Sequence, residues 1–420
     1  MLNTIDAVAV PDQNIIDESE DFLKNSVDLN VPPKEYPDDQ FWAGLRAVGS
    51  ELWLDTGDME GAAQLWNKEF SALTTNNTLL NKEIQKGIYD DIILEANKLV
   101  KGLDELQRIV EIAFILNAHH ALRLVQRFGA QVSVELHTAL AHDPEATVLY
   151  AQRFHRICPS NFIIKIPHTP SGLLSTRKVR DLGIPVNYTL GFSARQNYIA
   201  TAMAHPSYVN VFLGRLNSFV ADNSLGTGDM VGEKTTLASQ EGVQKVSQQN
   251  RGSTRQIAAS MRAASQVADL AGVDVYTMPV TVASAAKKEL DGHWESKRHE
   301  EYNVALNPDV PAGELHLEKL WEISEKEENF VRDIRENMPA DERELLQQLK
   351  DAGIHDFFPE MSGEESATII ADGKIPQYTK WRGRIKEENL SVDSLINMAG
   401  LGSFTTDQAS LDNRIRKLIS

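Results

Sequence analysis

Between residues 51 and 279 the chain alternates short apolar or β-branched runs with longer helical stretches, and this rhythm constrains its fold more than any other feature. The runs are ELWLD from Glu51, FSALTTN from Phe70, QVSVELH from Gln131, FIIKIP from Phe162, PVNYTLGF from Pro185, YVNVFLGR from Tyr208, TRQIAAS from Thr254 and VDVYTMP from Val273. Between them, apolar residues recur at helical spacing from Ile109 to Phe128, Pro144 opens another helix, and Ser193 to Met203 reads as a third. Strands alternating with helices imply βαβ units and a parallel sheet. About eight such units match a (β/α)8 TIM barrel in size and count. A doubly wound open sheet is the alternative, although no GxGxxG follows the first strand.

The flanks differ from this core. Residues 1–45 are polar and Pro-broken, with an acidic patch from Asp17 to Asp21, and read as an N-terminal extension with one short helix. The barrel is expected over 46–290. Beyond it HLEKLWEISEKEENFVRDIRENMPADERELLQQLKDAG is charge-rich and helical in period, its charges forming mostly a solvated face. Residues 291–395 therefore read as a helical C-terminal insertion. The last helix is expected in TDQASLDNRIRKLI, capped by Thr406 or Asp407, with 396–420 packing on the barrel.

Charge and cysteine usage narrow the functional classes. A net charge of −18 argues against general nucleic-acid binding. It also requires that any anionic substrate meet local Arg or Lys. No apolar run is long enough to cross a bilayer, and the N-terminus lacks the basic start of a secretory signal. The single cysteine, Cys158, cannot form an internal disulfide, which fits a cytoplasmic setting, and it reads as a small buried hydrophobe. SLGTGDMVGEKTT, from Ser224 to Thr236, resembles a phosphate loop but lacks the Gly-Lys-Thr of a Walker motif, and reads as a loop over the barrel mouth able to act as a lid. His293 and His299 are too far apart for HExxH, His119 and His120 point to different helix faces, and no GxSxG occurs. Neither a metal nor a cofactor is expected.

In a barrel of this kind, active-site groups come from the strand C-terminal ends and the loops after them. The first strand ends with Asp55 and the second with Asn76. The third carries Glu135, and the fourth Lys165. The fifth carries Asn187 and Thr189, two apart and so on one face. The sixth ends with Arg215, and the seventh with Ser260 followed by Arg262. Burying so many polar groups without a shared purpose is costly. Together they supply the parts for one chemistry. A lysine amine forms a Schiff base with a carbonyl substrate, and a dry, strand-lined pocket favours the neutral amine that attacks. Asp55 and Glu135 are the candidate carboxylates for proton transfer. Asn76, Asn187 and Thr189 are placed to hold sugar hydroxyls; Arg215 and Arg262, with Ser260, to bind a terminal phosphate.

The motifs LDTGD, TTNNTLL, VSVEL, FIIKIPHTPSGL, GIPVNYTLGFS, VFLGRLN and AASMR resemble, in order and spacing, those of transaldolases, and SFTTDQASLDNRI resembles the family's last helix. The resemblance implies a (β/α)8 barrel and transfer of a dihydroxyacetone unit between sugar phosphates, in the pentose phosphate pathway and without cofactor. It makes Lys165 the Schiff-base lysine and Asp55 the acid/base at the cleaved bond. Glu135 with Thr189 would position a catalytic water. Asn76 and Asn187 would bind hydroxyls, while Arg215, Ser260 and Arg262 hold the phosphate. Phe212 stands where the family's transferases carry Phe and related small aldolases carry Tyr, which favours transfer. Departures are Asn210-Val211 in place of the usual Ser-Pro, so that Asn210 would meet the donor's hydroxyls, His168 before Thr169, and the insertion. His168 is expected to be a packed or solvated loop histidine. The partners implied are small sugar phosphates, with neither nucleic acid nor membrane, for a monomer or homodimer. The rival readings are a Schiff-base aldolase releasing dihydroxyacetone, and a non-catalytic barrel recruiting a partner through the insertion.

Overall fold

The structure, a computed structural model, describes residues 10–32, 34–250 and 252–420. The start of the N-terminus, read above as non-secretory, lies outside the described residues. All eight runs form strands: β1 Glu51–Asp55, β2 Phe70–Thr74, β3 Gln131–Glu135, β4 Phe162–Pro167, β5 Val186–Thr189, β6 Tyr208–Phe212, β7 Arg255–Ala259 and β8 Val275–Pro279. Neighbours pair in parallel and in sequence order, and β8 returns to β1, so the sheet closes into a (β/α)8 barrel rather than an open sheet. Along β4 the pleat does the sorting. Ile164 and Ile166 are fully buried on the alternate face from Lys165.

Several strands stop earlier than their sequence runs. Asn76 leaves β2 and caps the helix Asn77–Gln85, its Oδ1 accepting from Leu79 N at 2.9 Å. Arg215 lies in the first turn of the helix Leu213–Asp222, not at a strand end. Ser260 follows β7 in the left-handed region, with φ 61°. Each still sits at the mouth, because the chain turns into its next element there.

The helix expected from Ile109 spans Glu105–Phe128, opened by a capping box of Asp104 and Gln107. Pro144 opens Pro144–Ile157 and Ser193 caps Ala194–Ala204, as their sequences indicate. Among its described residues the N-terminal segment has the helices Gln13–Ser26 and Gln40–Ala47, where one is expected. The acidic patch is not all solvated, since Glu20 is buried and pairs with Arg156 at 2.6 Å.

The largest correction concerns the last helix. It runs unbroken over Val392–Ile419, so Thr406 and Asp407 are interior and the expected boundary at 395/396 falls inside it. Thr405 and Thr406 have the chemistry of caps, but inside this helix their hydroxyls bond back to the carbonyls of Leu401 and Gly402, each at 3.0 Å. Ser224 to Thr236 is also corrected. Val231 already begins the helix Val231–Asn250, while Gly226 bridges to Leu306 and Asn307 N donates to Leu225 O at 2.8 Å. The loop is thus pinned to the segment after β8.

That segment, helical in period as expected, is locked to the barrel by buried charge. Arg195, in the first turn of Ala194–Ala204, donates Nε to Asp393 Oδ2 and Nη2 to Asp393 Oδ1, both at 2.9 Å. It also bonds both carboxylate oxygens of Asp356 at 3.2 Å, and Lys319 adds a bond to Asp356 at 2.8 Å. Ser193 donates to Asp393 at 2.6 Å. Burial opposes the charge on Asp393, yet Arg195 and the hydroxyls hold its carboxyl down at about 2. Among the described residues no helix is long and apolar enough to cross a membrane.

Removing Arg195 strands the buried carboxylate of Asp393 and leaves Asp356 with Lys319 alone, so Arg195→Ala is expected to cost about 3–5 kcal/mol in denaturant unfolding. A variant that melts like the wild type would show the cluster to be dispensable. The pH dependence has a definite sign. Asp393 is depressed in the fold, so its contribution is complete above an unfolded value of about 3.9 and disappears as pH falls toward about 2. Acid unfolding in Asp393→Asn should therefore be less steep across that window.

Candidate active site

The C-terminal ends of the strands surround a cavity of about 250 Å³. Of the eleven residues singled out from sequence, Asp55, Asn76, Lys165, Asn187, Asn210, Phe212, Arg215, Ser260 and Arg262 line it, while Glu135 and Thr189 do not reach its wall. The strand register explains much of this convergence. Glu135 pairs with Lys165 across β3 and β4, and Lys165 with Asn187 across β4 and β5, so the three stand at one height. Pro167 pairs with Thr189 two residues higher.

Lys165 is 4% exposed. Its Nζ donates to Thr75 O at 3.2 Å and stands 3.7 Å from Glu135 Oε2, with the Phe404 ring centre 6.0 Å away. Asp55 accepts from Thr74 Oγ1 at 2.7 Å, and Thr74 in turn meets Thr277 at 2.6 Å. Burial pushes the Asp55 carboxyl above the usual range, opposed by Lys165, the Thr74 hydroxyl and Arg262. Burial also raises Glu135, against the pull of Lys165 and the Asn77 backbone N–H and with a further push from Asp55. Of the two carboxyls raised beside the amine, Asp55 lines the cavity and can exchange protons with a bound molecule, while Glu135 stands behind the wall. Among the described residues, Glu135 Oε2 and Thr189 Oγ1 have no hydrogen-bond partner.

A row of amides forms the next part of the wall. Asn187 Nδ2 donates to Ser133 Oγ at 3.1 Å, and Asn210 Nδ2 donates to Asn187 Oδ1 at 3.1 Å. Asn210 also accepts from Gly191 N at 3.3 Å, so it braces Asn187 as well as facing the cavity. Another part of the wall is cationic. Arg215 is 4% exposed, yet its Nε and Nη1 have no partner among the described residues. Burial and repulsion from Arg262 push it down to about 10, although Glu135 and Asp407 oppose them. Its guanidinium lies 5.3 Å from the Phe212 ring centre and 5.6 Å from that of Phe404. Arg262, Lys82 and Lys374, all exposed, line the same cavity. An unpartnered, buried guanidinium among further cations is suited to an anion. Among the described residues no group of three or more His, Cys, Asp or Glu is placed to hold a metal ion.

Over residues 52–362 the chain matches the model of the Transaldolase/Fructose-6-phosphate aldolase family. The chain belongs to this family. A transaldolase from Xanthomonas campestris pv. campestris is 30% identical over 239 residues, which is 54% of this chain and 72% of that protein. A probable transaldolase from Thermus thermophilus is 34% identical over 236 residues, or 55% and 88% respectively. The protein is an enzyme, a transferase of the transaldolase type.

Within this transaldolase-family barrel, sequence reasoning missed Thr74, Thr277, Lys82, Lys374 and Phe404. Thr74 lies in the quoted run FSALTTN, two residues before Asn76. Phe404 lay inside the tail motif, and its role became visible only once the last helix crossed the mouth. Lys374 carried no local signal. His168 is settled as a packed side chain. It lies among Tyr188, Phe357 and Phe358, with centroids 5.1–5.4 Å away, and outside the cavity. Burial pushes it down to about 3, so it is neutral.

Gly400 makes the Arg215 position possible. A Cβ there would stand 2.9 Å from Arg215 Nη1. The guanidinium can swing away, and alanine favours the helix by up to about 1 kcal/mol. Gly400→Ala should therefore keep near-wild-type melting while weakening inorganic phosphate binding on the order of tenfold, the worth of one charge-assisted bond. Calorimetric titration with phosphate checks this; equal affinities would refute it.

Proposed function

We propose that the protein transfers a dihydroxyacetone unit from a ketose phosphate (sedoheptulose 7-phosphate or fructose 6-phosphate) to an aldose phosphate (glyceraldehyde 3-phosphate or erythrose 4-phosphate). The unit is carried as a Schiff base on Lys165, in the pentose phosphate pathway. One observation carries the reading: a buried amine flanked by two carboxyls opens on a cavity that also holds an unpartnered guanidinium. That set of functions suits a sugar that carries both a ketone and a phosphate. The lone, buried Cys158 fits the cytoplasmic setting of such a reaction.

The neutral Lys165 amine attacks C2, and loss of water leaves an iminium. Asp55 takes the proton of the C4 hydroxyl. The C3–C4 bond breaks, its electron pair moves toward the iminium to give an enamine, and an aldose phosphate leaves. The enamine then adds to the aldehyde carbon of the acceptor, and Asp55 returns its proton to the new alkoxide. Water finally hydrolyses the iminium and frees Lys165. The unfilled hydrogen-bonding capacity of Glu135 and Thr189 suits the water that moves protons in the dehydration and hydration steps. Asn76 and Asn187 hold hydroxyls, Asn210 steadies Asn187 and meets the donor, and Arg215, Arg262 and Ser260 take the phosphate. Phe212 offers no hydroxyl to activate water against the enamine, which favours transfer over release of free dihydroxyacetone.

Borohydride with fructose 6-phosphate should trap a covalent adduct on the wild type and none on Lys165→Ala; an equal adduct on both would exclude Lys165. Asp55→Asn should lower kcat by about 10²–10⁴-fold, the usual range for a lost acid/base. Thr74→Val removes a hydrogen bond that pulls the Asp55 carboxyl down. Its acid limb in kcat/KM should consequently move to higher pH, and an unmoved limb would assign that limb to another group. Multiple turnovers without acceptor would favour the aldolase.

A further inference from the structure

We infer that Lys374, on the turn after the helix Gly363–Asp372, belongs to the anion-binding end of the cavity and sets its affinity for the phosphorylated end of the sugar. The inference deepens the proposed function and rests on it. The phosphate end is thereby completed by a segment beyond the eighth strand.

The chain delivers Lys374 by construction. Gly373 closes the preceding helix at φ 76° and ψ −142°, a backbone region open to glycine and costly for other residues. Asn223 then fixes the far side of the turn. Its Nδ2 donates to Pro376 O at 3.0 Å, and its Oδ1 accepts from Tyr378 N at 2.8 Å. Gln377 N donates to Asp372 Oδ2 at 3.1 Å across the base. Asn223 directly follows the helix Leu213–Asp222, whose first turn holds Arg215. One short helix therefore fixes both the buried guanidinium and the turn that presents the lysine.

The charges around Lys374 leave it in need of an anion. Lys319, Lys380 and Lys386 of the same segment each pair with a carboxylate, whereas Lys374 makes no ion pair among the described residues. It lines the cavity with Lys82, Arg215 and Arg262. Partial burial pushes its ammonium below the usual range, as do Arg215, Arg262 and Lys82, while Asp407 opposes them. Asp407 is already bound by the Thr78 hydroxyl. Four cations meet here, with Arg215 still carrying open donors, and a phosphate brings roughly two negative charges and three acceptor oxygens.

Steady-state kinetics on the full chain test this, with fructose 6-phosphate as donor, erythrose 4-phosphate held saturating as acceptor, and inorganic phosphate as competitor. Lys374→Ala should raise the KM and the inhibition constant of phosphate together, by about 5–10-fold, with kcat within about twofold. Lys374→Arg should recover most of both. Unchanged KM and inhibition constant would overturn the assignment, and so would a fall in kcat alone. Borohydride trapping keeps the two readings apart: if the wild type traps the sugar while Lys374→Ala binds phosphate normally, only the role of Lys374 fails. If the wild type does not trap, the Schiff-base reading fails with it.

Discussion

Closure of the parallel ladder is the constraint on which the rest of the structure depends. Once β8 pairs with β1, no strand can slip without moving every partner, and a one-residue slip would turn each inward side chain outward. Glu135, Lys165 and Asn187 are held side by side by this register rather than by contacts among themselves. Lys165 and Glu135 remain 3.7 Å apart, too far for a strong ion pair. Backbone hydrogen bonding thus bears the cost of keeping an amine and a carboxyl close, dry and not fully neutralised.

The second constraint comes from outside the barrel. The last helix crosses the mouth and sets Phe404 near both Lys165 and Arg215. Its first turn contains Asp393, whose carboxylate is tied to Arg195 beside the end of β5. Burying that pair has a large desolvation cost, repaid only because Ser193, Asp356 and Lys319 complete the hydrogen bonding. Such a cluster specifies one docking geometry, since any shift leaves a buried charge unpaired. The aromatic roof over the amine is therefore fixed by a charge cluster on another part of the same helix.

The barrel was legible in the sequence because period-2 runs and helical stretches alternate in order, and the inward positions near the strand ends hold polar groups where apolar ones would pack. Lys165 interrupting FIIKIP is the plainest case. Asn76, Arg215 and Ser260 were placed too far along their strands, because an apolar run does not show where a cap takes over. The last helix was read short for the same local reason: Thr406 and Asp407 look like a cap until tertiary packing continues the turn. Phe404 and Lys374 could not be assigned at all. Their place at the mouth depends on how the chain beyond β8 returns, which pairwise spacing does not encode. His168, expected as a packed or solvated loop histidine, is packed among aromatic rings.

The net charge of −18 gives the arrangement of cations its meaning. An anionic sugar is repelled by an acidic surface only within roughly a Debye length, about 8–10 Å at physiological salt. Lys82, Arg262 and Lys374 are exposed, so their attraction is screened and short in range, and it opposes the acidic field at the mouth. Arg215 is buried, so its attraction is not screened in the same way, and its open donors give direction as well as charge. On the proposed reading, the exposed cations would draw the phosphate in and the buried one would fix it. With that end held against Arg215, the carbonyl of the sugar would be brought toward Lys165, and binding energy spent on the phosphate would become orientation at the reacting carbon.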